Sequence, residues 1–135
     1  MQLHHVGVVV SDLEVALEHY RRLGFASGER FDLPHQSIVA VTLEAGSGFV
    51  ELITPTDPEG PISRYLEKRG DTVHHVAYRV DDIEKSLQAL AASGVRLIDS
   101  TPRPGAHGWR VAFIHPESCS GVLTELVEVI ESDRV

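Results

Sequence analysis

An internal repeat constrains the fold more than any other feature of this sequence. Residues 3–14 read LHHVGVVVSDLE and residues 73–84 read VHHVAYRVDDIE, so two adjacent histidines open the same order of residue types twice. The offset of 70 residues also matches Leu17 with Leu87. A chain that contains one unit twice is expected to fold as two copies of the same module.

Each copy predicts a strand followed by a helix. Residues 3–10 and 73–80 are apolar and rich in β-branched side chains, as buried strands are. Ser11 and Asp81 then stand where a helix N-cap is expected, and each is followed three residues later by the glutamate of a capping box. Apolar residues continue at helical spacing until a glycine ends each helix.

The remaining segments predict three further strands in each half. We place them at residues 26–33, 37–44 and 49–53 in the first half, and at residues 95–98, 109–114 and 121–129 in the second half, with a loop at 100–108. Between the halves, Ile62, Tyr65 and Leu66 at helical spacing indicate a short amphipathic helix. Each half therefore reads β-α-β-β-β.

The closing strands repeat as well, with a changed offset. Residues 49–53 (FVELI) match residues 123–127 (LTELV), which aligns Glu51 with Glu125 at an offset of 74 residues. The four extra residues fit into the 100–108 loop. Each half thus opens with a strand that carries a histidine and closes with a strand that carries a glutamate.

Composition restricts the class of protein. The chain has 135 residues and a formal net charge of −8 at pH 7, so we expect one globular domain and neither nucleic acid nor an anionic membrane as a partner. A lone cysteine, Cys119, cannot form an internal disulfide and fits a reducing cytoplasm. No apolar run approaches the roughly 18–20 residues of a membrane span, and the chain opens without a signal-peptide pattern.

Four strand positions indicate a metal site: His5, Glu51, His75 and Glu125. Each lies among apolar neighbours, where a carboxylate is costly unless it is paired or bound to a cation. Two modules related by a pseudo-twofold axis would bring the two His/Glu pairs together. Two neutral imidazoles and two carboxylates balance one divalent metal ion and suit Co, Ni, Mn, Zn or Fe. An octahedral ion with four protein ligands keeps two positions for water or substrate, as a catalytic site requires.

Ordinary roles are expected for the other histidines. His4 and His74 alternate to the opposite strand face from His5 and His75, so we expect them to pack beside the site rather than bind the metal. His35, His107 and His115 lie in or near loops, where contact with water explains a histidine as well as a place in a substrate pocket does.

These features resemble the vicinal oxygen chelate (glyoxalase-like) superfamily and, within it, the methylmalonyl-CoA epimerases. Three stretches carry the resemblance: residues 3–7 (LHHVG), residues 61–77 (PISRYLEKRGDTVHHVA) and residues 94–126, which contain PRPGAHG and GVLTEL. It implies an α+β fold in which two tandem βαβββ modules form a cupped eight-stranded mixed sheet. It also implies a single domain over residues 1–135, with a first module at about 1–54, a connector with a short helix at 55–71, and a second module at about 72–130.

The resemblance also implies the metal ligands and an activity. The ligands are His5, Glu51, His75 and Glu125. Such an epimerase inverts the carbon between a thioester and a carboxylate by way of an enolate, whose charge a divalent ion stabilises. Glu125 and Glu51 are the expected acid/base residues. The implied partners are a small-molecule acyl-CoA substrate and a second copy of the chain in a homodimer.

Two positions depart from the epimerase pattern. Some of these enzymes carry a glutamate in the third strand where this chain has Ala40, so the second proton carrier is left unidentified. The family's His-Pro-Lys-Ser segment is His115-Pro116-Glu117-Ser118 here, which removes a positive charge. Arg103 and Arg110 are candidate contacts for CoA phosphates, although solvated surface arginine is the more common case.

The same ligand types leave other functions open. Glyoxalase I acts on a glutathione hemithioacetal and uses His, Glu, His and Glu for a similar proton transfer; residues 61–70 and 94–125 favour the epimerase over it. A ring-cleaving dioxygenase needs only two histidines and one carboxylate. A metal-free binding protein of this fold typically lacks the ligand set. A biosynthetic isomerase built on the epimerase scaffold fits both the ligands and Ala40.

Overall fold

The computed structural model describes residues 1–130, and in that range it contains eight strands and three α-helices. The strands are β1 (Gln2–Val9), β2 (Glu29–Leu33), β3 (Ile38–Ala45), β4 (Gly48–Pro55), β5 (Thr72–Arg79), β6 (Arg103–Pro104), β7 (Arg110–Ile114) and β8 (Thr124–Glu128). The helices are α1 (Leu13–Leu23), α2 (Pro61–Arg69) and α3 (Ile83–Ala92). Across residues 1–130, no helix has the length and apolar character needed to cross a membrane.

The chain divides into two compact units. The first unit is His5–His74, and the second unit is Met1–His4 together with the chain from His75 onward. The connector helix α2 therefore belongs to the first unit. The single domain with module boundaries near 54 and 72 remains a prediction, and its residues 131–135 lie outside the described range.

In the first unit the strand order is β2-β3-β4-β1. β1 and β4 are parallel, with Gly7 opposite Glu51, and β3 is antiparallel to both β2 and β4. Where the parallel pair ends, the backbone N–H of Val10 donates to the carbonyl of Ile53 at 2.9 Å.

The second unit repeats this pattern in the order β5-β8-β7-β6. β5 and β8 are parallel with Ala77 opposite Glu125, and the N–H of Val80 donates to the carbonyl of Val127 at 2.9 Å. These are the residues that the sequence repeat aligns with the corresponding pairs of the first unit, so strand register repeats along with sequence. The eight-stranded mixed sheet has the order β2-β3-β4-β1-β5-β8-β7-β6, and the predicted fold class is confirmed.

Both helix N-caps lie one residue later than the sequence pattern predicts. Asp12 Oδ1 accepts from the N–H of Val15 at 3.1 Å, and Asp82 Oδ1 accepts from the N–H of Lys85 at 3.1 Å. The prediction of Ser11 and Asp81 as caps is therefore wrong. Aspartate and serine are equally good N-caps. In Ser11-Asp12 and in Asp81-Asp82, the second residue is the one that caps the helix.

The predicted strand at residues 95–98 is also wrong, and so is the assignment of residues 100–108 as loop throughout. Leu97 makes one isolated bridge to Ile114, and the N–H groups of Ile98 and Asp99 both donate to the carbonyl of Phe113. The edge strand β6 instead forms at Arg103–Pro104, with Arg103 opposite Val111. A two-residue edge strand that contains proline is too short to show the alternation of apolar and polar residues that predicts a strand.

Helices cover both faces of the sheet in the first unit. α1 packs on one face against a buried cluster that includes Val10, Val41, Leu43 and Leu52. On the other face, Ile62, Tyr65 and Leu66 of α2 pack against a cluster of Val9, Ile38, Ala40 and Ile53. Alternation along the strands separates the two sets.

One helix packs on the sheet of the second unit. Ile83 and Leu87 of α3 join the buried residues Ala112, Ile114 and Leu126. Since side chains alternate along a strand, Phe113 and Glu125 project from the opposite face of the same strands. The second predicted metal pair therefore lies on the face away from α3.

Candidate metal centre

The opening histidine and the closing glutamate of the first unit lie side by side. His5 on β1 and Glu51 on β4 project from the same face, because β1 and β4 are parallel neighbours with Gly7 opposite Glu51. His5 Nε2 lies 3.7 Å from Glu51 Oε1, and both residues are buried.

In the second unit His75 and Glu125 form the equivalent pair. His75 on β5 and Glu125 on β8 share a face of the parallel pair, in which Ala77 is opposite Glu125. His75 Nε2 lies 3.4 Å from Glu125 Oε1, and both residues are 3% exposed.

Three of the four predicted ligands form one buried group. Nitrogen atoms of His5 and His75 and a carboxylate oxygen of Glu125 all lie within 4.8 Å of one another. Glu51 is not a member of this group and is placed by its 3.7 Å separation from His5.

The chemistry and spacing of this donor set fit a divalent metal ion. Two imidazoles and carboxylate oxygen are ligands that Zn, Co, Ni, Mn and Fe share. Two ligand atoms about 2.1 Å from one ion are roughly 3.0–3.4 Å apart in octahedral or tetrahedral coordination. The 3.4 and 3.7 Å separations within the two pairs are close to this range and wide for an N–H···O hydrogen bond.

Two residues beside the pairs were missed by sequence reasoning. Thr42 is buried and lies directly opposite Glu51 across β3 and β4, and Phe113 lies directly opposite Glu125 across β7 and β8. The tight turn after Ala45 fixes the register of the β3–β4 hairpin and could have revealed Thr42. The long connection between β7 and β8 gives no comparable signal for Phe113.

Comparison with known proteins decides the family. A model of the Glyoxalase/Bleomycin resistance protein/Dioxygenase superfamily matches residues 4–113. The chain belongs to this superfamily.

Relatives within the superfamily have similar sequences along nearly the whole chain. Mitochondrial methylmalonyl-CoA epimerase of Bos taurus is 37% identical over 127 residues, which cover 93% of this chain and 73% of the relative. Ethylmalonyl-CoA/methylmalonyl-CoA epimerase of Cereibacter sphaeroides is 36% identical over 131 residues, 95% of this chain and 98% of the relative.

Solved structures of methylmalonyl-CoA epimerases are similar to this chain in fold as well as in sequence. The crystal structure of methylmalonyl-CoA epimerase from Mycobacterium tuberculosis has a TM-score of 0.91 and 36% identity, and the match covers 96% of this chain and 88% of that one. A methylmalonyl-CoA epimerase in complex with methylmalonyl-CoA and an ammonium ion has a TM-score of 0.92 and 31% identity over 96% of this chain and 95% of that one.

Ala40, where some superfamily epimerases carry a glutamate, is fully buried in an apolar environment. It shares a cluster with Val9, Ile38 and Ile53, against which side chains of α2 pack. A carboxylate here would lose its hydration among apolar side chains. A proton carrier for this superfamily member has to come from another position.

Four of the other histidines contact an aromatic ring or cap a turn: His4, His74, His107 and His115. His4 is buried with its ring edge-on to Trp109 at 4.3 Å, and His107 lies over the same Trp109 at 4.6 Å. His74 is edge-on to Tyr65 at 4.9 Å. His115 Nδ1 accepts from the N–H of Glu117 at the start of a 3₁₀ helix.

The two arginines considered for CoA contacts differ in their environment. Arg110 donates to Glu84 at 2.6 Å and lies 3.6 Å from Glu128. The hydrogen bond that Arg110 donates to Glu84, together with the charges of both carboxylates, raises the pKa of Arg110. Because two carboxylates already engage Arg110, it is poorly placed to bind a phosphate.

Proposed function

We propose that this protein is a metal-dependent epimerase that interconverts the 2R and 2S forms of methylmalonyl-CoA. The observation that carries the proposal is the buried group of His5, His75 and Glu125 in a chain 37% and 36% identical to two proteins named as epimerases of this substrate. A divalent centre suits the reaction, because the reacting carbon lies between two carbonyl groups whose oxygens take up negative charge.

The reaction moves one proton. A base removes the proton at C2, the electron pair of the C–H bond delocalises into the thioester carbonyl, and a proton delivered to the opposite face gives the other epimer. Substrate and product have the same composition, so no oxidant, reductant or other reactant is consumed. The protein must supply charge stabilisation at oxygen and a proton carrier on each face of the enolate.

In this proposal His5, His75 and Glu125 hold the metal ion, with Glu51 as the fourth ligand. The bound ion supplies Lewis-acid stabilisation of the negative charge on the substrate oxygens. The two histidines bind as neutral imidazoles, so the two carboxylates set the charge of the site. All four residues are buried, and the lower dielectric of a buried site strengthens electrostatic interactions there.

We assign proton transfer to Glu125 and Glu51. These are the two carboxylates that accompany the histidine pairs, at 3.4 Å from His75 and 3.7 Å from His5. They occupy corresponding strands of the two modules, so each module contributes one proton carrier. The apolar packing around Ala40 supports Glu51 as the second carrier.

Three finer proposals accompany the activity. The donor set suits Co, Ni, Mn, Zn or Fe, and the native ion is one of these. By analogy with similar proteins, the chain forms a homodimer, so light scattering in solution should give twice the 14.8 kDa chain mass. The single cysteine is consistent with a cytoplasmic location.

A chiroptical assay tests the proposed activity. Metal-loaded protein is mixed with one epimer of methylmalonyl-CoA, and the circular dichroism of the C2 centre is followed. Decay to the signal of the equilibrium mixture of the two epimers is expected. An unchanged signal, combined with turnover of a glutathione hemithioacetal by the same protein, would assign glyoxalase I activity instead.

A further inference from the structure

Arg103 projects from the same face of the second unit as the metal pair. It lies directly opposite Val111 across β6 and β7, and Phe113 lies directly opposite Glu125 across β7 and β8. Directly opposed residues share a face, and so do residues two apart along a strand. Arg103, Val111, Phe113 and Glu125 therefore share the face away from α3, in two adjacent rows: Arg103 with Val111, and Phe113 with Glu125.

Two ring contacts connect Arg103 to His75. The guanidinium carbon of Arg103 lies over the ring of Phe113, 5.8 Å from its centroid. The ring of Phe113 in turn lies edge-on to the imidazole of His75 at 5.4 Å. The guanidinium is thus separated from a candidate metal ligand by a single aromatic ring, and a cation over a ring face is attracted by its negative quadrupole.

Asp99 contacts Arg103 and the backbone of Phe113 through its two carboxylate oxygens. Asp99 Oδ1 lies 3.4 Å from Arg103 Nε, while Asp99 Oδ2 accepts the N–H of Phe113 at 2.8 Å. Arg103 Nε is buried and has no hydrogen-bond partner within residues 1–130. The side chain as a whole is 36% exposed, so part of it is open to solvent.

We propose that Arg103 binds the free carboxylate of the substrate and selects acyl-CoA thioesters that carry a carboxylate on C2. This inference rests on the proposed function. A planar guanidinium offers parallel N–H donors that match a carboxylate bidentately. The location two ring contacts from His75 suits a group one bond from the reacting carbon, whereas the phosphates of CoA lie a whole pantetheine arm away from the thioester.

Such a contact has a consequence for the reaction as well as for selectivity. With the thioester end and the carboxylate end of the substrate both held, only the proton changes face during inversion. Positioning of this kind lowers the entropic cost of reaching the transition state. Arg103 is therefore assigned to substrate binding and orientation, with proton transfer left to the glutamates.

Ligand affinities test this assignment. Dissociation constants for methylmalonyl-CoA and propionyl-CoA, which lacks the carboxylate, are measured by calorimetry on metal-loaded wild type, Arg103→Met, Arg103→Lys and Arg110→Met. We expect Arg103→Met to weaken methylmalonyl-CoA binding about tenfold or more, as loss of a charge-assisted pair does, with propionyl-CoA affinity unchanged. Arg103→Lys should give an intermediate loss, and Arg110→Met should change neither affinity.

The other possible outcomes overturn either the Arg103 inference or the proposed function. Equal weakening of both ligands by Arg103→Met would show a role in folding or in binding the CoA moiety, and unchanged affinities would show no role; either result overturns the Arg103 inference alone. Failure of the wild type to bind either thioester would overturn the proposed function, and the carboxylate assignment with it.

Discussion

His75 Nε2 lies 3.4 Å from Glu125 Oε1, on two parallel strands that the sequence repeat aligns with the strands of His5 and Glu51. This spacing is close to that of two ligands on one ion and leads to the first prediction. Replacement of His75 by alanine should abolish uptake of a divalent metal, because a ligand set that loses one imidazole loses most of its affinity.

Elemental analysis of purified protein after metal loading measures this effect. The matched control is His74→Ala, which removes the neighbouring histidine on the opposite strand face and should leave the stoichiometry unchanged. Glu125→Ala should behave like His75→Ala, with circular dichroism showing that both variants fold. A full complement of metal in either ligand variant would exclude the proposed site.

Helix capping yields a stability prediction that separates the structure from the sequence pattern. Asp12→Ala and Asp82→Ala should each lower the free energy of unfolding by about 1 kcal/mol, because each removes the oxygen that accepts from the third residue of its helix. Ser11→Ala should cost less than about 0.5 kcal/mol. Urea denaturation measures both, and a larger loss at Ser11 than at Asp12 would restore the pattern-based assignment.

Ala40 permits a test of where the second proton carrier lies. Ala40→Glu should lower the free energy of unfolding by about 3 kcal/mol, since it adds both volume and an unpaired carboxyl group to the cluster beneath α2. Ala45→Glu, at the exposed end of the same strand, should change stability by less than about 0.5 kcal/mol. A stable Ala40→Glu variant with faster epimerisation would remove the reason for assigning the proton transfer to Glu51.

Gly28 contributes to the first unit through its lack of a side chain. A Cβ atom at this position would clash with the carbonyl oxygen of Thr42, the residue opposite Glu51. Gly28→Ala should therefore lower the free energy of unfolding by about 1–3 kcal/mol. Gly60→Ala is the control, because its nearest contact is 3.2 Å away on the flexible side chain of Asp57. Chemical denaturation of the two variants should separate them clearly.

The repeat made most of the fold predictable. Both strand-to-helix units and the α2 connector follow from residue spacing, because apolar periodicity reflects burial directly. The pairing of His5 with Glu51 and of His75 with Glu125 followed from the same alignment. The cap positions were off by one residue because Ser11-Asp12 and Asp81-Asp82 each offer two adjacent capping side chains.

The sequence does not predict the register between strands that are joined by irregular connections. Leu97 reads as part of a strand because its neighbours are apolar, yet it makes a single bridge. Arg103 lies opposite Val111 in β6 and β7. This pairing is not predictable from the sequence, because β6 has only two residues. The sequence also does not predict that the Asp99 carboxylate contacts both Arg103 and the backbone of Phe113.

Exchange of the substrate α-proton tests the central claim most directly. Metal-loaded protein is incubated with methylmalonyl-CoA in deuterated water, and the C2 proton is followed by proton NMR, with metal-stripped protein as the control. We predict that the C2 signal disappears with the loaded protein, at a rate that falls about a hundredfold or more in Glu125→Gln if that carboxylate carries the proton. Persistence of the C2 signal with fully loaded wild-type protein would contradict the assignment of this site to epimerisation.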